Sequence, residues 1–130
     1  RAEYYHPDRR DGTLMCHYRQ RAHADPLVLV GLQDITAHID FSAIAAAGVD
    51  AGLTLAGYTS QAAFLLGCGL ATLAGDSDPN DTRAHLERMQ AVKKLTLPHE
   101  MGELFKVIGL TKGVDLSLPS FALQDRRHRL

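Results

Sequence analysis

Between Thr13 and Asp125 extended and helical signals alternate along the chain, and this alternation limits the fold more than any single motif does. Strands that alternate with helices argue for a layered α/β architecture. Thr13 to Gln20 (TLMCHYRQ) reads as extended, with Leu14, Cys16 and Tyr18 on one face and Met15, His17 and Arg19 on the other. A loop from Arg21 to Thr36 leads to Asp40, a suitable N-cap for a helix over Phe41 to Ala51 whose apolar face uses Phe41, Ile44, Ala45 and Val49. Gly52 is expected to close that helix in a left-handed conformation. Leu53 to Gly57 follows as a short strand, the order of a βαβ unit with a right-handed crossover, and implies a second parallel strand.

Thr59 or Ser60 then caps a helix through Ala62, Phe64, Leu65 and Leu66 that ends near Gly67 and Gly69. Residues 75 to 81 form a polar loop. The next helix begins near Asp81 or Thr82 and carries Leu86, Met89, Val92 and Leu95 inward. Pro98 suits the first position of a further helix through Met101, Leu104, Phe105 and Ile108. Lys112-Gly113 marks a turn, and Ser120 to Asp125 reads as a closing strand. About three strands and four helices make a poor doubly wound sheet, because a parallel sheet needs both faces and an edge covered. The set reads more naturally as half of a larger domain.

Length and charge set the outer bounds. A chain of 130 residues fits one domain. Hydrophobic residues at 45% and charged residues at 22% exclude wholesale disorder. The 14 basic residues are offset by 15 acidic ones, so the net charge of −1 gives no electrostatic case for nucleic acid. Arg9, Arg10, Arg19, Arg21, Arg126, Arg127 and Arg129 are read as a solvated surface. Cys16 and Cys68 lie far apart in a sequence without a secretory signal, which favours reduced thiols and a cytoplasmic protein. No apolar run approaches the ~20 residues of a membrane helix, since Asp50, Thr54, Thr59, Ser60 and Gln61 interrupt Ala43 to Leu66; no membrane insertion is expected.

Reactive side chains crowd into Gly12 to Phe41, which holds three of the seven histidines and one of the two cysteines. Zinc needs three or four ligands converging at about 2.0 to 2.3 Å, and neither CxxC nor HxxxH occurs there; no metal site is expected. Cys16 and His17 point to opposite faces of one strand. His23 or His38 could fold back on Cys16 as a nucleophilic pair, but a mid-strand cysteine among apolar neighbours is usually an inert hydrophobe. Asp34, Thr36, His38 and Asp40 alternate with apolar residues, so one face of a short extended segment can present all four to a small ligand while Asp40 also caps the helix. Tyr4, Tyr5 and His6 serve equally as a lid over the core or as a pocket wall.

The strings EYYHP at 3 to 7, GTLMCHYR at 12 to 19, RAH at 21 to 23, LQDITAHIDF at 32 to 41, AGLTLAGYTSQAAFLLGCG at 51 to 69 and the tail FALQDRRHRL occur in order. Together they resemble the C-terminal part of the MidA-type S-adenosylmethionine-dependent methyltransferases, whose mitochondrial members assist complex I assembly. The resemblance implies part of a class I, Rossmann-like sheet, with Thr13 to Gln20 as its fifth strand, Leu53 to Gly57 as its sixth and Phe121 to Asp125 as its seventh. The family's glycine-rich cofactor loop belongs to earlier strands, and no GxGxG occurs here. The opening on Arg1 without an initiator methionine fits a C-terminal portion, residues 1 to 130, that lacks the N-terminal cofactor-binding half. S-adenosylmethionine is therefore expected in the complete enzyme and not on this chain alone.

Ligands of open α/β sheets bind beyond the carboxyl ends of the strands. On that template Tyr4, Tyr5, His6, His17, Tyr18, Tyr58 and Thr59 face the substrate, with Asp34, Thr36 and His38 closing over the same mouth; the catalytic residue stays open. The resemblance implies a protein arginine as methyl acceptor, held by acidic side chains such as Asp34, and a cytoplasmic location, mitochondrial in a eukaryote. The competing expectation is a non-catalytic module that docks a protein through the Tyr4-Tyr5 loop and an exposed sheet edge, an edge that also offers a route to self-association.

Overall fold

A computed structural model describes residues 6–76, 81–114 and 117–130. The chain divides into two compact units, Arg1–Ala43 and Ile44–Leu130.

In the first unit β1 (Met15–Tyr18) is the middle strand of a three-stranded sheet, between β2 (Arg21–His23) and β3 (Asp34–Thr36), and it is antiparallel to both. The loop expected from Arg21 to Thr36 therefore contains one strand and ends in another. Arg19 and Gln20 join β1 to β2 with φ of 43° and 66°. Two left-handed residues between paired strands are the mark of a type I′ hairpin turn, whose twist matches that of the strands. Cys16 is fully buried, as the inert-hydrophobe reading of a mid-strand cysteine requires. Two side-chain bonds extend the β1–β3 pairing: Thr36 Oγ1 donates to the Met15 carbonyl at 3.2 Å, and the His38 N–H donates to Thr13 Oγ1 at 3.0 Å. Asp40 caps the following helix, accepting from the Ala43 N–H at 3.0 Å.

That helix, α1 (Phe41–Asp50), runs into the second unit, and Gly52 follows it at φ 78° as the sequence requires. Next come β4 (Thr54–Ser60), α2 (Gln61–Gly67), α3 (Leu70–Gly75), α4 (Thr82–Thr96) and β5 (Lys106–Thr111). Ser60 caps α2, accepting from the Ala63 N–H at 3.4 Å. Asp81 caps α4 through Ala84 at 3.0 Å. On α4, Met89, Val92 and Leu95 are half-buried, whereas Leu86 is 56% exposed and does not point inward.

Three further expectations fail. No helix follows Pro98. The Met101 N–H donates to the Lys94 carbonyl and the Gly102 N–H to the Leu97 carbonyl, both at 3.1 Å, which folds the chain back onto the end of α4. A side chain at Gly102 would stand 2.1 Å from the Thr96 carbonyl oxygen, so this reversal depends on glycine. The residues that follow, KVIGLT, then form β5, because Val107 and Ile108 favour a pleated, half-buried surface.

No closing strand forms over Ser120 to Asp125. Pro119–Phe121 is a 3-10 turn, and irregular chain follows before a second 3-10 turn at Arg127–Arg129. The segment still runs along β4, where the Arg126 N–H donates to the Tyr58 carbonyl at 2.6 Å. Finally, β4 pairs antiparallel with β5, and no parallel pair occurs among the described residues. The expected fifth strand thus lies at the centre of a separate antiparallel sheet. The architecture is mixed α/β, with small antiparallel sheets and flanking helices.

The core of the second unit is small, and Phe121 is its anchor. Its ring lies over Gly57 of β4 and Gly109 of β5, which are cross-strand partners, and meets Phe64 of α2 edge-on at 5.6 Å. Ala45, Ala74, Thr59 and Ser60 are buried with it.

Candidate functional site

Strand register decides which reactive residues of the first unit share a face. His17 stands opposite Asp34 on one side and Ala22 on the other, and Met15 opposite Thr36. Directly opposed residues of antiparallel strands project to the same face, with Cβ atoms about 4.5 to 5.5 Å apart. His17, Asp34 and Thr36 therefore form one exposed polar face, with Ala22 as its low floor on the β2 side. His38 is also exposed and is tied to Thr13 just beyond β3.

The opposite face carries different chemistry. Cys16 is opposed by His23 and Ile35. Of the two histidines that could approach the cysteine, the register thus brings His23. Its Nε2 is buried without a hydrogen-bond partner among the described residues. Tyr18 is half-buried on that face, with the Arg19 guanidinium 5.4 Å from its ring centre. His6 is exposed, and its Nδ1 accepts from the Asp8 N–H at 3.3 Å. Tyr4 and Tyr5 lie outside the described residues.

In the second unit Tyr58 and Thr59 occupy the carboxyl end of β4. Thr59 is fully buried and its hydroxyl donates to Gln124 at 3.2 Å, so it faces the interior of the fold. Tyr58 is half-buried; burial raises its phenol above the ordinary value, while Arg126 and Arg129 pull in the other direction. A charged network that the sequence reading did not assign surrounds this strand end. Arg126 donates through both terminal nitrogens to Glu103, at 2.7 and 2.9 Å. Those bonds chiefly hold the Glu103 carboxyl below its usual range, against a smaller contribution from burial, with further help from Ser60 and Lys106.

For Asp125, burial pushes the carboxyl up. Bonds from the Arg127 backbone and side chain and from the Tyr58 N–H outweigh that effect and leave it lowered. The tail arginines are accordingly not all solvated: the Arg126 side chain is only 17% exposed. The signal was present in the run QDRR, but a partner 23 residues upstream cannot be read from a linear sequence.

The first N–H groups of α2 are already taken: Gln61 donates to the Phe105 carbonyl, Ala62 to that of Gly102 and Ala63 to Ser60. A shallow depression lined by Cys68, Gly69, Thr72, Leu73 and Asp76 includes none of the candidate residues. No group of three or more His, Cys, Asp or Glu side chains placed to hold a metal occurs among the described residues. No helix among them is long and apolar enough to cross a membrane.

Residues 1–59 match the model of a family described as "Putative S-adenosyl-L-methionine-dependent methyltransferase". All ten candidate residues fall within that stretch. The chain is also similar to two crystal structures of proteins of one superfamily from Burkholderia thailandensis. One, bound to S-adenosyl-homocysteine, is 56% identical and matches 99% of this chain and 33% of its own, with a TM-score of 0.84. The other, a native structure of an uncharacterized protein, is 56% identical and matches 100% of this chain and 35% of its own, with a TM-score of 0.83. The chain thus spans about a third of the length of the solved structures it matches. No curated protein gives a match to it.

Proposed function

We propose that this chain belongs to the family matched by residues 1–59 and forms the substrate-side, C-terminal portion of an S-adenosylmethionine-dependent methyltransferase that acts on a protein arginine. The observation that carries the reading is the close similarity, over 99% of the chain, to a relative bound to S-adenosyl-homocysteine, the form S-adenosylmethionine takes once its methyl group has left.

In this reading the cofactor sits on the two thirds of the relatives' length that this chain does not span. The polar face of the first unit meets the acceptor. Asp34 supplies the negative charge that draws a guanidinium to this face. Thr36 and His38 add hydrogen-bonding groups along the same rim. Holding the acceptor nitrogen in line with the donor methyl is the larger part of what such a face contributes, because orientation alone removes much of the entropic barrier.

Two measurements test the proposal. Calorimetric titration of the 130-residue chain with S-adenosylmethionine is expected to show no binding, and micromolar affinity would overturn the division of labour. Mixing the chain with the cofactor-binding portion of the Burkholderia relative is expected to give methyl transfer to an arginine peptide. Binding of the two portions without transfer would instead favour the non-catalytic docking module, a reading to which the many exposed large apolar residues, Leu27, Val30 and Leu32 among them, lend support.

A further inference from the structure

We infer that His17, backed by Asp34, is the group that takes the proton released when the acceptor nitrogen is methylated. The inference rests on the proposed function and adds a catalytic role that the sequence left unassigned.

Its basis is the placement of His17 on the central strand of the first unit. Asp34 flanks it on β3, whereas on β2 only the methyl group of Ala22 stands beside it. An acceptor side chain can therefore approach over Ala22, from the side of the imidazole away from the carboxylate. The other charged residue that strand alternation sets on this face is Arg19, at the turn, whose guanidinium lies over Tyr18. The bonds from Thr36 to Met15 and from His38 to Thr13 fix β3 against β1, and so hold the His17–Asp34 register. The two side chains are not hydrogen-bonded to each other in this structure. Pairings of this kind commonly close only when substrate covers them.

The chemistry releases one proton that such a group can take. A guanidinium carries one positive charge before methylation and one afterwards, so a proton must leave. The acceptor nitrogen forms its bond to the methyl carbon as the bond from carbon to the donor sulfonium breaks. The electron pair of that bond stays on sulfur, giving S-adenosylhomocysteine, and the nitrogen's proton passes to the free imidazole nitrogen of His17. One ring N–H donates to Asp34, which orients the ring and stabilises the imidazolium until the proton is lost to solvent. His17 is exposed, so that last transfer is open to water.

The test uses the Burkholderia relative with its matched third replaced by this chain. His17→Ala is expected to lower kcat by about 100-fold, within the range for a removed general base, and to abolish the acid limb of the pH profile. Added imidazole should restore part of the rate. Asp34→Asn should act in the same direction, with a double variant no slower than His17→Ala alone. S-adenosyl-homocysteine binding, read by calorimetry, should stay within twofold in all variants. An unchanged rate and pH profile in His17→Ala would overturn the inference while leaving the methyltransferase reading intact. Failure of the unmutated chimera to transfer methyl from S-adenosylmethionine to any arginine peptide would remove that reading, and the inference with it.

Discussion

Gly57 and Gly109 face each other across the β4–β5 ladder, and together they leave the bare floor on which the Phe121 ring lies. A Cβ at Gly57 would come 2.2 Å from the ring and one at Gly109 2.8 Å. The two positions are glycine because an aromatic ring from the tail takes the space their side chains would fill.

Gly57→Ala is therefore expected to destabilise the second unit by roughly 1 to 3 kcal/mol, the usual cost of overpacking. Gly75, the last residue of α3, has nothing within 4 Å of its would-be Cβ. There Gly→Ala should be neutral or add up to ~1 kcal/mol. Urea midpoints of the two variants measured side by side check the contrast; equal losses would refute the Phe121 floor.

The Glu103–Arg126 bridge gives a pH prediction. The carboxyls of Glu103 and Asp125 are both lowered in the folded state, so the stability they confer is present above the unfolded carboxylate value of about 4 and is lost as pH falls through the lower folded values. Arg126 stays charged throughout this window. Glu103→Gln should cost about 1 kcal/mol at pH 7, discounted because the Glu103 side chain is 39% exposed, and should flatten the fall in stability between pH 5 and 2. Urea midpoints across that range, showing parallel curves for variant and wild type, would count against the bridge.

Arg19 and Gln20 both hold positive φ in the β1–β2 turn, a conformation most side chains resist. Replacing the pair by Asn-Gly, the sequence best suited to a type I′ turn, should stabilise the hairpin by about 1 kcal/mol. Slower amide exchange at Tyr18 and Arg21 is the expected readout. Faster exchange would mean that the turn is not type I′ in solution.

Phe121→Ala removes the ring that spans both strands and meets Phe64. It should cost about 3 to 5 kcal/mol, the range for a buried aromatic. The tail should loosen with it, exposing the Arg126 amide that now bonds Tyr58, so exchange at Arg126 should rise along with the loss of global stability. Protection retained at Arg126 would show that the charged network holds the tail without the ring.

Local chemistry was legible in the sequence wherever the decisive partner lies within a few residues. Asp40, Ser60 and Asp81 cap helices because their oxygens reach an N–H three residues on, and Gly52 takes a left-handed turn because it lacks a Cβ. The alternating faces of β1 follow from the pleat alone, as does the separation of Cys16 from His17. Sequence could not say that His17 would meet Asp34, nor Cys16 His23, because register depends on which strand pairs with which. It likewise misread residues 98 to 111, where Gly102 turns the chain back on α4 and β4 recruits Lys106–Thr111 as an antiparallel partner. Propensity is a local quantity. Pairing, the Phe121 floor and the Arg126–Glu103 bridge are contacts between distant parts of the chain, and only the tertiary structure brings those parts together.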